Sequence, residues 1–216
     1  MSCIAKGRGR PPTQSDAARR REILEAAEHL FIENGYERTT TDAVAAACHM
    51  SKHTLYRLYP SKTALFEAIV DQHRGTMLAF DDVSDAMPID EALAVIFRID
   101  ISVEQEGERR AILQLAAKEG ELSPELAEAI RRRGIDQSRV ELGAWLARRS
   151  ESGEIAIPGD PTDYSSMLMA MVFATSNPQF PKPPPFEPER HRAHIKRCIS
   201  VFLDGTRRRQ TNERNS

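Results

Sequence analysis

Lys52, His53, Tyr56 and Arg57 stand at i, i+1, i+4 and i+5, so a helix would bring them to one face. Lys offers a compact charge, Arg a planar fork of donors and Tyr a hydroxyl. Such a face suits an anionic partner rich in acceptors. Thr40, Thr41, Ser51 and Ser61 stand where helices would start, and Lys62 follows the last of them. Their hydroxyls cap helices, and the backbone N–H groups behind them favour phosphate oxygens. Two plainer roles stay open: Tyr56 as core and Lys62 as a solvated cation. Further upstream, Arg8-Gly9-Arg10-Pro11 is a slim basic stretch of the kind that enters a narrow A·T-rich minor groove, although a simple electrostatic tail is the plainer reading.

Catalytic patterns are poorly matched. Gly7 and Gly9 precede Pro-Pro instead of following a strand, so no phosphate-binding loop is indicated. His191-x-x-His194 lacks the Cys or carboxylate set that would complete a metal site. Cys48 and His49 are neighbours in sequence, which does not make a nucleophile and base pair. No enzyme, cofactor or metal is expected.

The polar face needs a scaffold, and the surrounding periodicity provides one. Ser15 caps a helix in which Ile23, Ala27, Leu30 and Phe31 repeat, and Asn34-Gly35 stops it. A second segment carries Val44, Ala47 and Cys48; His49-Met50 turns the chain; Ser51 opens a third with Leu55, Leu58 and Tyr59 on its apolar side. Pro60 breaks that segment, and Leu65, Phe66, Ile69 and Val70 begin a fourth helix. Two short helices joined by a tight turn, the second with an exposed polar face, form a helix-turn-helix by pattern, with a generic helical bundle as the alternative.

Composition agrees with a soluble helical protein. Hydrophobic residues make up 40% and charged residues 29% of 216. Residues 1–62 hold ten Lys and Arg against seven Asp and Glu, and the remainder holds twenty against twenty-five, so a basic leading part precedes an acidic one. That asymmetry suits a polyanion-binding module joined to something else. The longest apolar run, Met167 to Ala174, is far short of the roughly 20 residues that cross a bilayer. The basic N-terminus lacks the apolar core of a signal peptide, so a cytoplasmic location is expected. Cys3, Cys48 and Cys198 are odd in number and widely spaced, which suggests reduced thiols.

Asn34-Gly35-Tyr36, Thr39-Thr40-Thr41, Ser51-Lys52-His53-Thr54-Leu55-Tyr56-Arg57, Tyr59-Pro60-Ser61-Lys62 and Leu65-Phe66 together strongly resemble the TetR/AcrR family of regulators over about residues 17–70. The resemblance implies a three-helix DNA-binding head, a longer helix leading to a variable helical regulatory domain, and two-fold dimers. It also implies that Thr41, Ser51, Tyr56 and Lys62 anchor backbone phosphates, with Thr40 at the same helix start and with Lys52, His53 and Arg57 at or near the groove. His49 and His53 stand where the family usually or often has Gly; His is among the few non-Gly types that tolerate a left-handed backbone.

Beyond residue 75 the reading rests on periodicity. Helices are expected over 89–106, 108–118, from Ser123-Pro124 through Trp145 with a kink near Gly134, over 164–175, and around 195–202; residues 176–188 read as a Pro-rich connector. Met77, Phe80, Phe97, Ile101, Leu115, Trp145, Met167 and Met171 are candidates for an adaptable apolar ligand pocket, with plain core as the competing role. The apolar stripes of the last two helices, including Ile199 and Phe202, are expected to dimerise the chain.

The expected molecule is all-α, of about nine helices: a flexible basic arm (1–14), a helix-turn-helix domain (15–75), a regulatory ligand-binding and dimerisation domain (76–209) and a disordered tail (210–216). It would be a homodimeric repressor released from double-stranded operator DNA by a small-molecule effector. The alternative is an architectural DNA-binding protein insensitive to ligand.

Overall fold

The computed structural model describes residues 15–174 and 185–207. Arg8 and Arg10, the tail and most of the Pro-rich connector lie outside them. Every regular element among the described residues is helical, and the chain parts into two compact units between Phe66 and Glu67.

The first unit contains α1 (Asp16–Asn34), α2 (Thr41–Ala47), α3 (Lys52–Leu58) and the start of α4 (Lys62–Met77). Each beginning has a local cause. Ser15, Thr40 and Ser51 accept from the backbone N–H groups of Ala18, Ala43 and Thr54, and Ser61 from that of Ala64. Gly35 ends α1 at φ 82°, and its N–H reaches the Phe31 carbonyl. The turn between α2 and α3 places His49 at φ 51°, the left-handed conformation expected of it. Ile23, Ala27, Phe31, Val44 and Leu55 have no exposed surface. Beside them Phe31, Tyr36 and Phe66 form an aromatic cluster with centroids 5.2 to 6.2 Å apart.

The second unit continues α4 and adds α5 (Ile89–Ile96), α6 (Val103–Leu122), α7 (Pro124–Ala129), a π-helical segment (Ile130–Asp136), α8 (Gln137–Glu151), α9 (Pro161–Phe173) and α10 (Pro188–Thr206). α7, the π segment and α8 run end to end, so ten α-helices amount to about nine rods among the described residues. The stretch around Gly134, where a kink is expected, is this π segment. A side chain at Gly134 would press on Val70 at 3.4 Å, and Arg132 and Arg133 pair with Glu67 and Asp71 of α4. The core gathers Leu93, Ile96, Phe97, Leu142, Trp145, Leu168 and Ile195 from α5, α8, α9 and α10.

Two expectations are corrected. The helix expected over 89–106 ends at Ile96, because Arg98 turns back at φ 52° and its guanidinium donates to the Gly75 carbonyl at 2.8 and 3.2 Å. α6 then starts at a capping box of Ser102 and Gln105, and Gly107 lies inside it. Ile199 and Phe202, expected at a dimer interface, are each 5% exposed and belong to the core of a single protomer. The large apolar side chains that α9 and α10 leave in water are Met167 and Val201, each 61% exposed.

Candidate nucleic-acid interface

Helix α3 presents the polar face that its spacing predicts. Leu55, Leu58 and Tyr59 are buried against α1 and α2, while Lys52, His53, Tyr56 and Arg57 are exposed. Arg20 of α1 fixes the helix end: it donates to the Leu58 carbonyl at 3.0 Å and lies 5.3 Å above the Tyr59 ring. Thr39 fixes the entry to α2, since its hydroxyl lies 3.0 Å from the Leu30 carbonyl and 2.9 Å from that of Gly35. These two clamps escape sequence reasoning, because the pairing partners lie on other elements.

The residues expected to anchor phosphates are organised in advance. Tyr56 Oη and Thr41 Oγ1 are 2.8 Å apart, which couples the face of α3 to the start of α2. Thr40 and Ser51 are exposed caps, and Ser51 Oγ lies 2.9 Å from Thr54 Oγ1. Lys62 has a further task. Its ammonium donates to the Tyr36 carbonyl at 2.9 Å and to that of Glu37 at 3.4 Å, and it sits 4.1 Å from the Tyr36 ring centroid. It therefore braces the loop after α1, so neither a solvated cation nor a dedicated phosphate anchor fully describes it.

The two strongest cations on the face are paired with carboxylates of the same unit. Arg57 donates to both oxygens of Asp16 at 2.9 and 2.8 Å, and Lys52 Nζ lies 2.5 Å from Asp42 Oδ2. The Arg57 hydrogen bond lowers the Asp16 carboxyl, and that from Lys52 to Asp42 raises the ammonium. Both pairs are exposed, so solvent screens them and an arriving phosphate or guanine edge can replace the carboxylate. His53 lies on the same face, in the first turn of α3.

The proposed pocket residues do not converge in this way. Phe97, Ile101, Leu115 and Trp145 are buried, and Met77, Phe80 and Met171 half-buried. Met167 is 61% exposed and lines no interior space of one protomer, because α9 turns Ser165, Leu168 and Val172 inward instead. A shallow cavity of about 380 Å³ is bordered by Phe80 together with Arg74, Leu78, Glu141 and Arg148; of the expected pocket residues it takes in Phe80 alone.

A compact unit of one long and two short helices, capped by hydroxyls and displaying a cationic face on the third, is a helix-turn-helix DNA-binding head. Residues 23–69 match the family model of bacterial regulatory proteins, tetR family, and residues 91–205 match that of the AefR-like transcriptional repressor C-terminal domain. The chain belongs to the TetR family of transcriptional regulators. It is 29% identical over 160 residues to the HTH-type transcriptional regulator UidR of Escherichia coli strain K12, covering 71% of this chain and 78% of that protein. It is 44% identical over 63 residues to the nucleoid occlusion factor SlmA of Pasteurella multocida, a match that takes in 29% of this chain and 32% of the relative. A solved TetR-family regulator from Mesorhizobium loti superposes with a TM-score of 0.68 at 20% identity, covering 89% of this chain and 98% of that one.

Proposed function

We propose that the protein represses transcription as a cytoplasmic homodimer whose heads grip operator DNA and whose second unit binds a small-molecule effector that releases it, with no catalysis. The observation that carries this reading is the exposed face of α3, in which Lys52, His53, Tyr56 and Arg57 stand beside the helix starts at Thr40/Thr41 and Ser51. The C-terminal match to a repressor domain supports the sign of regulation. Two heads must sit about 34 Å apart to enter successive major grooves. Exposed Met167 and Val201 on α9 and α10 supply apolar surface for the pairing that sets this spacing. An effector that binds better to wrongly spaced heads shifts the population away from DNA. The basic stretch at Arg8 and Arg10 adds minor-groove or electrostatic contacts beside the operator.

The test maps bound DNA across the genome and then titrates the recovered operator by fluorescence anisotropy. A two-fold site near regulated genes, and release by a metabolite of those genes, are expected. A second reading, DNA binding insensitive to any ligand, is favoured by the head's match to a relative named a nucleoid occlusion factor. Many scattered sites and no compound that releases them would replace repression with that reading.

A further inference from the structure

Two arginines of the second unit are buried, and their surroundings differ. Arg149 lies over the Trp145 ring and donates to the Asp85 carbonyl at 3.1 Å, to the Ser84 carbonyl at 3.3 Å and to the Glu154 carboxylate at 3.0 and 3.2 Å. Arg109, on α6, is 1% exposed, and its Nε and Nη1 have no hydrogen-bond partner among the described residues. Its Nη2 lies 2.5 Å from Glu106 Oε2, a close ion pair whose angles are not those of a hydrogen bond. The other oxygen of Glu106 takes Arg110 at 2.8 Å, so one carboxylate serves two guanidiniums. Burial pulls the Arg109 guanidinium below its usual value, against the pull of Glu106.

A second unmet atom belongs to the same electrostatic neighbourhood. The backbone of Arg98 faces His191 of α10, whose Nε2 is buried without a partner. Burial, then the Arg109 charge, lowers its pKa. Rings accompany both groups: Phe173 lies 5.8 Å from the Arg109 guanidinium, and Phe186 lies 5.3 Å from the His191 ring. A buried guanidinium is held best when its donors are used, and both Nη groups of Arg149 are; an apolar side chain would fill the place of Arg109 with less desolvation. Unused donors on a buried cation and flanking rings define what is missing: a planar acid.

We propose that Arg109 and His191 form the anion hook of the effector site, and that the effector is an aromatic organic acid whose carboxylate accepts from Arg109 Nη1. This rests on the reading of the second unit as effector-binding. His191 Nε2 meets the same acid group, donating when protonated and accepting from a hydroxyl when neutral. Phe173 and Phe186 cover the flat body of the ligand.

The test is thermal unfolding of the full chain without DNA, in the presence of benzoate, salicylate or 3-phenylpropionate and, separately, of their primary amides. At a hundredfold excess over Kd an acid should raise Tm by about 5 °C, and its amide should not. Arg109→Met should lose the shift, and because it strands the buried Glu106 carboxylate its own Tm without ligand should lie below that of wild type. If that variant fails to fold, His191→Phe decides, with an expected loss of about tenfold in affinity for the acid, the usual scale of one charge-assisted hydrogen bond. The proposal falls if no acid shifts Tm, if amides or inorganic phosphate act as well as the acids, or if both variants keep the full response. Failure of the function reads differently: an Arg109-dependent shift without operator release keeps this site and removes the proposed release. A neutral compound that frees the operator equally from wild type and Arg109→Met does the reverse.

Discussion

The two units handle charge in opposite ways. In the head, Arg57–Asp16 and Lys52–Asp42 lie in water, where each partner can be exchanged without stranding the other. In the second unit, Glu106 and Arg109 are sealed to 1% exposure, and removing either would leave a bare charge in the interior. The same residue types thus suit different ends: exposed pairs suit an adjustable surface for a long uniform polyanion, and buried, under-satisfied groups suit one small partner. Burial decides which.

The core of the second unit gives the comparison its hardest test. Phe202→Asp should abolish cooperative folding of that unit, because deleting a buried Phe alone costs about 3–5 kcal/mol and a buried carboxylate adds to it. Met167→Glu with Val201→Glu should leave the far-ultraviolet spectrum and Tm near wild type, yet give monomers by light scattering and weak operator binding. A soluble, folded Phe202→Asp monomer would return the dimer interface to the face first expected. Periodicity reveals that a stripe is buried; it does not reveal whether the same chain or a second copy covers it.

At the head, exchangeability predicts gains as well as losses. Asp16→Asn and Asp42→Asn free Arg57 and Lys52 for phosphates, so affinity for random duplex should rise several-fold, with a slope of log K against log salt steeper by about 0.9 for each additional phosphate neutralised. Tyr56→Phe removes the hydroxyl held by Thr41 and should weaken operator and random duplex by similar factors, because phosphate contacts carry no direct sequence information. If the Asn variants bound DNA no better at low salt, the carboxylates would not compete with it. The cations of this face were legible from their spacing. Their partners were not, since Arg57 and Asp16 are 41 residues apart and only the packing of α1 on α3 joins them.

Titration separates the units as well. His191 is surrounded by Arg109 and Glu106 of α6, His194 of α10 and the backbone of Arg98, and its pKa in the folded chain lies below the ordinary 6.5. The unfolded chain therefore binds more protons between the two values, so stability is full above about pH 6.5 and declines as pH falls toward the folded value. Chemical unfolding at pH 7.5 and 5.5 should show a drop for wild type that is smaller in His191→Phe. Equal drops would place the titrating group elsewhere.

The smallest effect is also the most local. His49 in the head and Arg98 in the second unit are the described non-glycine residues with positive φ, at 51° and 52°. A left-handed backbone costs an L-residue about 1–2 kcal/mol, and glycine avoids that strain while giving up more entropy on folding. For His49 the two terms nearly cancel, because its exposed imidazole makes no hydrogen bond among the described residues; His49→Gly should change stability by less than about 1 kcal/mol, toward gain. Its conformation was legible from the sequence because so few residue types accept it. Arg98 was not, because its turn is held by a carbonyl 23 residues away. Arg98→Gly removes the two hydrogen bonds to Gly75 together with the strain, so it should destabilise by about 1 kcal/mol, the usual scale for hydrogen bonds from a charged donor less the relief of strain. Urea midpoints of the two variants give the comparison directly: opposite signs support a turn written locally in the head and tertiary control in the second unit, whereas a gain in both would make the Arg98 hydrogen bonds incidental.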